Sequence, residues 1–170
     1  MTWERIPLDE WRSQHGHIER YQMATDLIND GDVVIDAACG IGYGAAVITA
    51  RRNVTYFGVD RATAVARDFM HCGWFTAADL NTWQPGFPFD VGVCFETLEH
   101  LQHPERLAAA LCEARRAVIV SVPTVPTKHV NEWHLHDFTV DSLVRLFPSY
   151  DSVQVIEQPE ELSHIFIFRM

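Results

Sequence analysis

The sequence predicts an α/β protein: a three-layer, doubly wound and mostly parallel sheet of seven strands that ends in an antiparallel hairpin. The first observation is an apolar, β-branched run at residues 33–35, typical of a buried parallel strand, which leads into a glycine-rich turn. The second is that further β runs alternate with stretches of helical spacing. The third is a pair of β runs, 152–157 and 165–168, joined without a helix, which indicates a hairpin at the sheet edge.

The first half of the chain alternates helix and strand patterns. Apolar residues recur at helical spacing in residues 15–28, and the Asn-Asp-Gly sequence at 29–31 ends that helix. After the strand at 33–35, a segment rich in Ala and Ile favours a helix, and a β run that follows ends at Asp60. In chain order we predict a helix at 45–52, a strand at 54–59, a helix at 62–70 and a strand at 74–78.

The second half continues the alternation with one shorter connection. Residues 81–88 are rich in Pro and Gly, so they leave no room for a full crossover helix. Pro104 suits the first turn of a helix, and Thr139 can cap a later helix that Pro148 stops. In chain order we predict a strand at 89–95, a helix from 104, a strand at 117–122, a helix at 140–147 and the two final β runs.

Length and composition limit what the chain can be. Its 170 residues suit one domain, 1–170, with residues 1–14 as an N-terminal extension. No apolar run approaches the roughly 18 residues of a membrane span, and the first residues lack a secretory signal, so we expect a soluble, cytoplasmic protein. The four cysteines lack CxxC spacing, which predicts reduced thiols. The formal net charge of −10 makes nucleic acid an unfavourable partner.

The turn after the first strand indicates a nucleotide-type ligand. Asp36 is followed by Gly40, Gly42 and Gly44, so the backbone can turn sharply and stay bare enough for a ligand to approach closely. Gly40, Gly42 and Ala45 also match the GxGxxA form of the dinucleotide fingerprint, which keeps a nicotinamide cofactor as an alternative.

The pattern DxxCGxGxG that begins at Asp36 resembles motif I of the class I S-adenosylmethionine (SAM)-dependent methyltransferase superfamily, in its small single-domain form. Two further segments resemble elements of one group in that superfamily, HIERY at 17–21 and SVP at 121–123. The resemblance implies a Rossmann-like sheet with strand order 3-2-1-4-5-7-6. It also implies SAM as the cofactor.

The resemblance implies a set of cofactor-binding residues. The acid that ends the second strand, Asp60, is placed to bind the ribose hydroxyls. The acid after the third strand, Asp79, is expected near the adenine with its apolar neighbour Leu80, and Arg20 and Tyr21 are expected beside the cofactor carboxylate. The predicted cofactor-binding residues are Tyr21, Asp36, Ala38, Cys39, Gly40, Gly42, Asp60, Arg61, Asp79, Leu80 and Glu96.

Three interpretations of Glu96, Glu99 and His100 stay open. If this segment is helical, the three side chains share one face. They can be structural, they can supply an acid or base, or they can bind a divalent ion such as Mg or Mn with a loop histidine as a further ligand. The last arrangement looks like the metal site of ubiquinone-pathway and small-RNA 3′-end methyltransferases. A bound metal is possible on this pattern but is not the favoured expectation.

The predicted function is methyl transfer from SAM to an oxygen or nitrogen atom of a small-molecule acceptor. His100 and His136 are the predicted catalytic residues, because an imidazole can take the proton of a hydroxyl or amine. Residues 123–138, which include His129, His134 and His136, are the predicted substrate loop. The alternatives are a non-catalytic SAM-fold module, a metal-dependent RNA-end methyltransferase and a nicotinamide-dependent oxidoreductase. A homo-oligomer or a partner subunit is also possible.

Overall fold

The computed structural model describes residues 6–61 and 65–170, and seven strands in this part of the chain form one sheet. The strands are β1 (Val33–Ala37), β2 (Thr55–Asp60), β3 (Trp74–Ala77), β4 (Val91–Phe95), β5 (Ala117–Pro123), β6 (Ser152–Gln158) and β7 (Ser163–Arg169). Their order is β3-β2-β1-β4-β5-β7-β6. Strand β7 runs antiparallel to its neighbours β5 and β6, and the other neighbouring strands pair in parallel. The predicted fold class and strand order are therefore confirmed.

Helices cover both faces of the sheet. They are α1 (His15–Leu27), α2 (Tyr43–Thr49), α3 (Pro104–Leu111) and α4 (Val140–Val144). The core on one face joins α1 and α2 to the sheet, and the core on the other face joins α3 and α4 to it. This arrangement gives the three layers that the alternating sequence pattern predicts.

Burial on both faces explains why β5 is apolar along nearly all its length. Val118 and Val120 pack into the core that contains α3, whereas Ile119 between them packs into the core that contains α1. Alternate side chains of a strand point to opposite faces, so a strand covered on both sides needs apolar residues at every position. Each such buried side chain contributes roughly 1.5–3 kcal/mol to folding.

The connection between β2 and β3 differs from its predicted form. A helix was expected at 62–70, of which residues 62–64 lie outside the described part of the chain. In the rest, the regular structure is a single 3-10 turn, Arg67–Phe69, and Ala66 before it has extended backbone angles. Phe69 is buried, and its ring packs edge-on against Trp11 at 5.6 Å. Tertiary packing of this aromatic pair replaces the helix that the local pattern favoured.

Other boundaries shift by a few residues. Helix α2 begins two residues earlier than predicted because Gly42, at φ 92°, caps it, and α4 ends at Val144. The predicted cap of α4 is correct, since the Thr139 hydroxyl accepts a hydrogen bond from the Ser142 N–H at 3.1 Å. None of the described helices combines the length and apolarity needed to cross a membrane.

Helices α1 and α2 approach each other at Gly44, where we predict a large effect of adding one methyl group. A Cβ atom at position 44 would lie 2.2 Å from Cε1 of Tyr21. The Tyr21 ring cannot easily move, because its hydroxyl donates to Asp36 at 2.9 Å and its ring meets Phe95 edge-on. Overpacking of this kind costs about 3 kcal/mol, which exceeds the gain of about 1 kcal/mol that alanine brings to a helix. Gly44→Ala is therefore expected to lower the free energy of unfolding by about 2 kcal/mol.

Urea denaturation of Gly44→Ala beside Gly86→Ala measures this effect. Gly86 is exposed, and a Cβ atom there would meet nothing within 4 Å, so its substitution is expected to change stability by less than about 0.5 kcal/mol. Equal stability of the two variants would show that α1 and α2 are not in close contact at Gly44.

Candidate functional site

A cavity of about 600 Å³ opens at the carboxyl ends of β1, β2 and β4. This volume lies within the usual range for small-molecule sites. Strands β2 and β4 flank β1, so the chain leaves the sheet in opposite directions on either side of it. Residues of α1, the 123–138 segment and the turn between β6 and β7 complete the wall.

The glycine turn between β1 and α2 forms the floor of the cavity. Ala38, Gly40 and Gly42 all have positive φ, at 69°, 56° and 92°. The N–H groups of Ala38 and Cys39 donate to the Val59 carbonyl at 2.7 and 3.1 Å, which fastens the turn to β2. A Cβ atom on Gly40 would meet nothing within 4 Å, so the space above this glycine is open. The turn therefore offers bare backbone to a ligand, as its sequence predicts.

Asp60 lies at the cavity wall where β2 ends. Its Oδ2 atom accepts a hydrogen bond from the Gly40 N–H at 2.9 Å. This bond places a carboxylate beside the open backbone of the turn, which is the arrangement that binding of a ribose requires. Besides this pair, six more of the residues predicted to bind the cofactor line the cavity: Tyr21, Ala38, Cys39, Arg61, Leu80 and Glu96.

Asp36 lies beneath the cavity and not in its wall. Its side chain is fully buried, and its Oδ2 accepts hydrogen bonds from the hydroxyls of Tyr21 and Tyr56. Its Oδ1 atom has no hydrogen-bond partner among the described residues. Burial raises the pKa of Asp36 to about 7, against the lowering effect of the two tyrosine hydroxyls. Asp36 thus supports the wall by holding the ring of Tyr21.

Gly42 and Asp79 were predicted to bind the cofactor but are also not among the residues that line the cavity. A Cβ atom on Gly42 would lie 3.0 Å from Val65, so this glycine serves the packing of the turn. Asp79 accepts hydrogen bonds from the backbone and side-chain nitrogens of Asn81 at 3.0 and 2.9 Å, and these bonds lower its pKa. Its exposed carboxylate organises the turn that places Leu80 in the wall.

Glu96, at the end of β4, belongs to a polar network that links three parts of the fold. Its backbone has φ 45°, and its two carboxylate oxygens accept from the hydroxyls of Ser121 at 2.7 Å and Ser163 at 2.9 Å. The guanidinium of Arg20, fully buried on α1, lies 3.5 Å from Glu96 and 3.7 Å from Glu161. Glu96 lines the cavity, whereas Arg20 lies behind it and balances its charge.

A second group of polar side chains meets in the wall of the cavity. Glu99, His100 and His134 each offer one nitrogen or oxygen atom, and these three atoms lie within 4.8 Å of one another. Glu99 is 1% exposed, and its Oε1 lies 3.8 Å from Nε2 of His100. Residues 98–100 form a 3-10 turn and not an α-helix, so Glu96 points away from this group and into the network of Arg20.

The hydrogen bond of His100 determines which ring nitrogen holds its proton. Nδ1 lies 3.0 Å from the Trp133 carbonyl oxygen, which can only accept, so Nδ1 carries the hydrogen. In the neutral ring, Nε2 is therefore the nitrogen without a hydrogen, and it lies 3.8 Å from Oε1 of Glu99. The ring of His134 meets that of His100 edge-on at 4.6 Å, and its Nδ1 is hydrogen bonded to the Thr127 hydroxyl at 2.6 Å.

His136, predicted to be a catalytic residue, takes part in a different contact. Its Nε2 lies 2.9 Å from the Leu101 carbonyl oxygen, and its side chain is not among the residues that line the cavity. The Glu99 carbonyl accepts hydrogen bonds from the N–H groups of Leu135 and His136 at 2.7 and 3.2 Å. These bonds hold the 123–138 segment in place, and His134 occupies the position in the wall that was expected for His136.

The N-terminal part of the chain supplies wall residues that were not predicted: Ile6, Pro7, Glu10, Gln14 and His17. The wall residue Tyr43 stacks on the ring of Trp11 at 5.6 Å and bonds to Nδ1 of His17 at 3.2 Å. Burial, with a contribution from the Arg20 guanidinium, lowers the pKa of His17 to about 4, so this imidazole is neutral at pH 7. His17 lies in the HIERY segment, which could have indicated that it belongs to the site, but only Arg20 and Tyr21 of that segment were predicted to lie there.

Comparison with known proteins agrees with this geometry. A family model described as a methyltransferase domain matches residues 9–161. Among proteins of curated function, no sequence is similar enough to count as a relative. The chain resembles the magnesium protoporphyrin IX methyltransferase of Synechocystis PCC 6803, solved with bound S-adenosylhomocysteine (SAH), at 16% identity and a TM-score of 0.71, over 99% of this chain and 90% of that one.

Two other solved structures are similar in fold but longer. An O-methyltransferase family protein of Burkholderia thailandensis has 15% identity and a TM-score of 0.74, over 94% of this chain and 57% of that chain. The small RNA methyltransferase HEN1 has 17% identity and a TM-score of 0.73, over 99% of this chain and 27% of that chain. At these identities the likeness shows the fold, and the chain spans about half or less of these two proteins.

Proposed function

Because the chain belongs to the family of class I, SAM-dependent methyltransferase domains, we propose that it moves the methyl group of SAM to an oxygen or nitrogen atom of a small-molecule acceptor held in the 600 Å³ cavity. The observation that carries this proposal is the open space above Gly40 beside the carboxylate of Asp60. The residues proposed to hold the cofactor are those of the prediction that line the cavity: Tyr21, Ala38, Cys39, Gly40, Asp60, Arg61, Leu80 and Glu96.

SAM supplies an activated methyl group on a sulfonium, so the main tasks of the protein are to orient the acceptor and to exclude water. Tyr43, whose ring stacks on Trp11, lines one side of the cavity, and the 123–138 segment lines another. We propose that the acceptor binds between these two sides, beside Glu99 and His100. This location is at the carboxyl end of β4, next to the glycine turn.

We propose His100 as the base that takes the proton of the acceptor. In the neutral ring its Nε2 is the nitrogen without a hydrogen, and it lies close to Glu99 and His134 in the cavity wall. His134 is the second candidate base, in place of His136. His17 also lines the cavity, but its pKa of about 4 makes it too weak a base for this role.

A second candidate function, metal-assisted methyl transfer, is favoured by one observation. The three ligand atoms of Glu99, His100 and His134 are close enough to bind one divalent ion, with a carboxylate and two imidazoles as donors. Glu96, the other predicted ligand, bonds to Ser121 and Ser163 instead. If a metal binds, addition of Mn²⁺ after EDTA treatment will raise the melting temperature of the wild type but not of His134→Ala. An RNA acceptor is disfavoured by the acidic charge of the chain.

Titration calorimetry with SAM tests the proposed function directly. We expect SAM to bind with micromolar affinity and NADH and NADPH not to bind. Asp60→Ala is expected to weaken SAM binding about 30-fold, because it removes the acceptor for two ribose hydroxyls and each such charge-assisted bond is worth about 1–2 kcal/mol. Asp60→Asn keeps an acceptor for the Gly40 N–H, so its loss should be smaller.

Asp68→Ala is the matched control for the Asp60 variants. Asp68 is an exposed acid on the same β2 to β3 connection and does not line the cavity, so its substitution should leave the affinity for SAM unchanged. A folded wild-type protein that does not bind SAM would refute the proposed enzyme. If Asp60→Ala binds SAM as tightly as the wild type does, Asp60 does not bind the cofactor.

A further inference from the structure

The charged side chains of the cavity wall have a strong bias in sign. Among the described residues that line the cavity, the acids are Glu10, Asp60, Glu96, Glu99 and Glu161. Within the same part of the chain, Arg61 is the only lysine or arginine in the wall. It follows Asp60 directly at the end of β2, so it belongs to the end of the cavity proposed for the cofactor.

The buried Arg20 does not reverse this bias. Its guanidinium lies 3.5 Å from Glu96 and 3.7 Å from Glu161, and it is not exposed to the cavity. Two carboxylates therefore share one cation. Glu99 also lines the cavity, beside the imidazoles of His100 and His134. An anionic acceptor beside Glu99 would meet a carboxylate and no arginine or lysine other than Arg61 among the described wall residues.

The polarity of the remaining wall fits an acceptor with an apolar body. Phe95, Leu101 and Leu162 line the cavity together with the ring of Trp133, which belongs to the 123–138 segment. An aromatic face attracts a cation, and a carboxylate in a partly desolvated site attracts it more strongly. The same carboxylate repels an anion, and the repulsion is stronger where the site is partly shielded from water.

From these observations we propose that the acceptor is a small amine on an apolar or aromatic body, and that Glu99 selects it over carboxylates and phosphates. The inference rests on the proposed methyl transfer and names its substrate class. The protonated amine binds beside Glu99 and gives one proton to Nε2 of His100. The nitrogen lone pair then forms the N–CH₃ bond as the S–CH₃ bond breaks, and that electron pair stays on sulfur to give SAH. The product is a methylated ammonium ion, and His100 releases its proton to water.

Three matched ligands that share a phenyl ring and an ethyl-length side chain test the proposal: 2-phenylethylamine, 2-phenylethanol and phenylacetate. Each is titrated by calorimetry into the wild type in the presence of EDTA, once with saturating SAH and once without. We expect the amine to bind at least about tenfold more tightly than phenylacetate, with the neutral alcohol between them. Phenylacetate binding as tight as the amine, or no amine binding at millimolar concentration, would overturn the proposal.

Glu99→Gln keeps the size of the side chain and removes its charge. In this variant, the ratio of the affinity for the amine to that for phenylacetate should fall at least about fivefold, and the affinity for SAH should be unchanged. Glu105→Gln is the control, because Glu105 is an exposed acid on α3 outside the cavity, and it should keep the full preference. If Glu99→Gln does not fold, Glu161→Gln at the exposed turn between β6 and β7 tests the same charge effect. An unchanged preference in the folded variants would overturn the role of the carboxylates.

The two titrations separate this inference from the proposed function. Failure of SAH to bind would refute the methyltransferase proposal, and the preference for the amine would still be measured on the protein alone. Binding of SAH with no preference for the amine would refute the inference and leave the proposed function intact. Phenylacetate binding that requires added Mn²⁺ would identify a metal at Glu99, His100 and His134 as the ligand-binding group, and would also overturn selection by charge.

Discussion

Asp36→Asn is expected to remove a large part of the pH dependence of unfolding between about pH 4 and pH 8. Burial raises the pKa of Asp36 from 3.8 to about 7 in the folded protein. The folded state therefore holds a proton that the unfolded state releases near pH 4. The stability that this proton provides is fully present below the pKa of the unfolded chain and is lost as the pH rises through 7. A difference of about three pKa units corresponds to roughly 4 kcal/mol.

The site should accommodate an asparagine side chain because of how the two tyrosine hydroxyls bind residue 36. Both the Tyr21 and the Tyr56 hydroxyl donate to the same oxygen of Asp36, and an amide oxygen can accept both bonds. The amide nitrogen then lies where Oδ1 has no partner among the described residues. We expect the variant to have nearly the same stability as the wild type near pH 4 and to be more stable near pH 8.

Urea denaturation at a series of pH values, read as the difference between variant and wild type, isolates Asp36 from the other titrating groups. Asp26→Asn is a suitable control, because Asp26 is exposed and pairs with Arg51 on the surface. That substitution should shift stability by less than about 1 kcal/mol at every pH. Parallel curves for Asp36→Asn and the wild type would show that Asp36 is ionised in the folded protein.

His100→Ala is expected to lower kcat about 100- to 1,000-fold with the best amine acceptor, because it removes the proposed base. The affinity for SAM should stay the same, since His100 is not among the residues proposed to hold the cofactor. The acid limb of the pH profile of kcat should also disappear, and added imidazole should restore part of the rate. These last two measurements separate a base from a residue that only supports the fold.

His103→Ala is the control for this experiment. His103 lies close to His100 in the chain, but it is largely exposed, pairs with Glu105 and does not line the cavity. Its substitution should leave kcat and the pH profile unchanged. If His100→Ala keeps the wild-type rate and His134→Ala does not, the roles of the two imidazoles are reversed. If both variants keep it, neither histidine is the base.

Parts of the site could be predicted because they depend on local sequence. Gly40 and Asp60 were both predicted to bind a cofactor, and the structure joins them by a hydrogen bond at the cavity floor. The carboxyl ends of parallel strands meet at one edge of a sheet, so an acid at the end of β2 must lie near a turn at the end of β1. The position of each strand in the sequence is enough for this inference.

Other parts could not be predicted because they depend on how a segment folds back. Glu96 was grouped with Glu99 and His100 on the assumption of a helix, but Glu99 and His100 lie in a 3-10 turn at 98–100 and Glu96 before it pairs with Arg20 instead. The buried position of Asp36 depends on two tyrosines that come from α1 and β2. No periodic pattern in the sequence predicts either the contact of Glu96 with Arg20 or the contacts of Asp36 with the two tyrosines.

The sequence by itself determined the class of fold and the glycine turn, because apolar periodicity and glycine spacing act within a few residues. The order of the seven strands followed from the resemblance to the methyltransferase superfamily. Only the tertiary structure decided that His134, and not His136, lines the cavity, and that acids outnumber arginine and lysine in its described wall. The physical reason is that the 123–138 segment is held by hydrogen bonds to the carbonyl oxygens of Glu99 and Leu101 and by an internal bond from Thr127 to Asp137, whose directions no local pattern specifies.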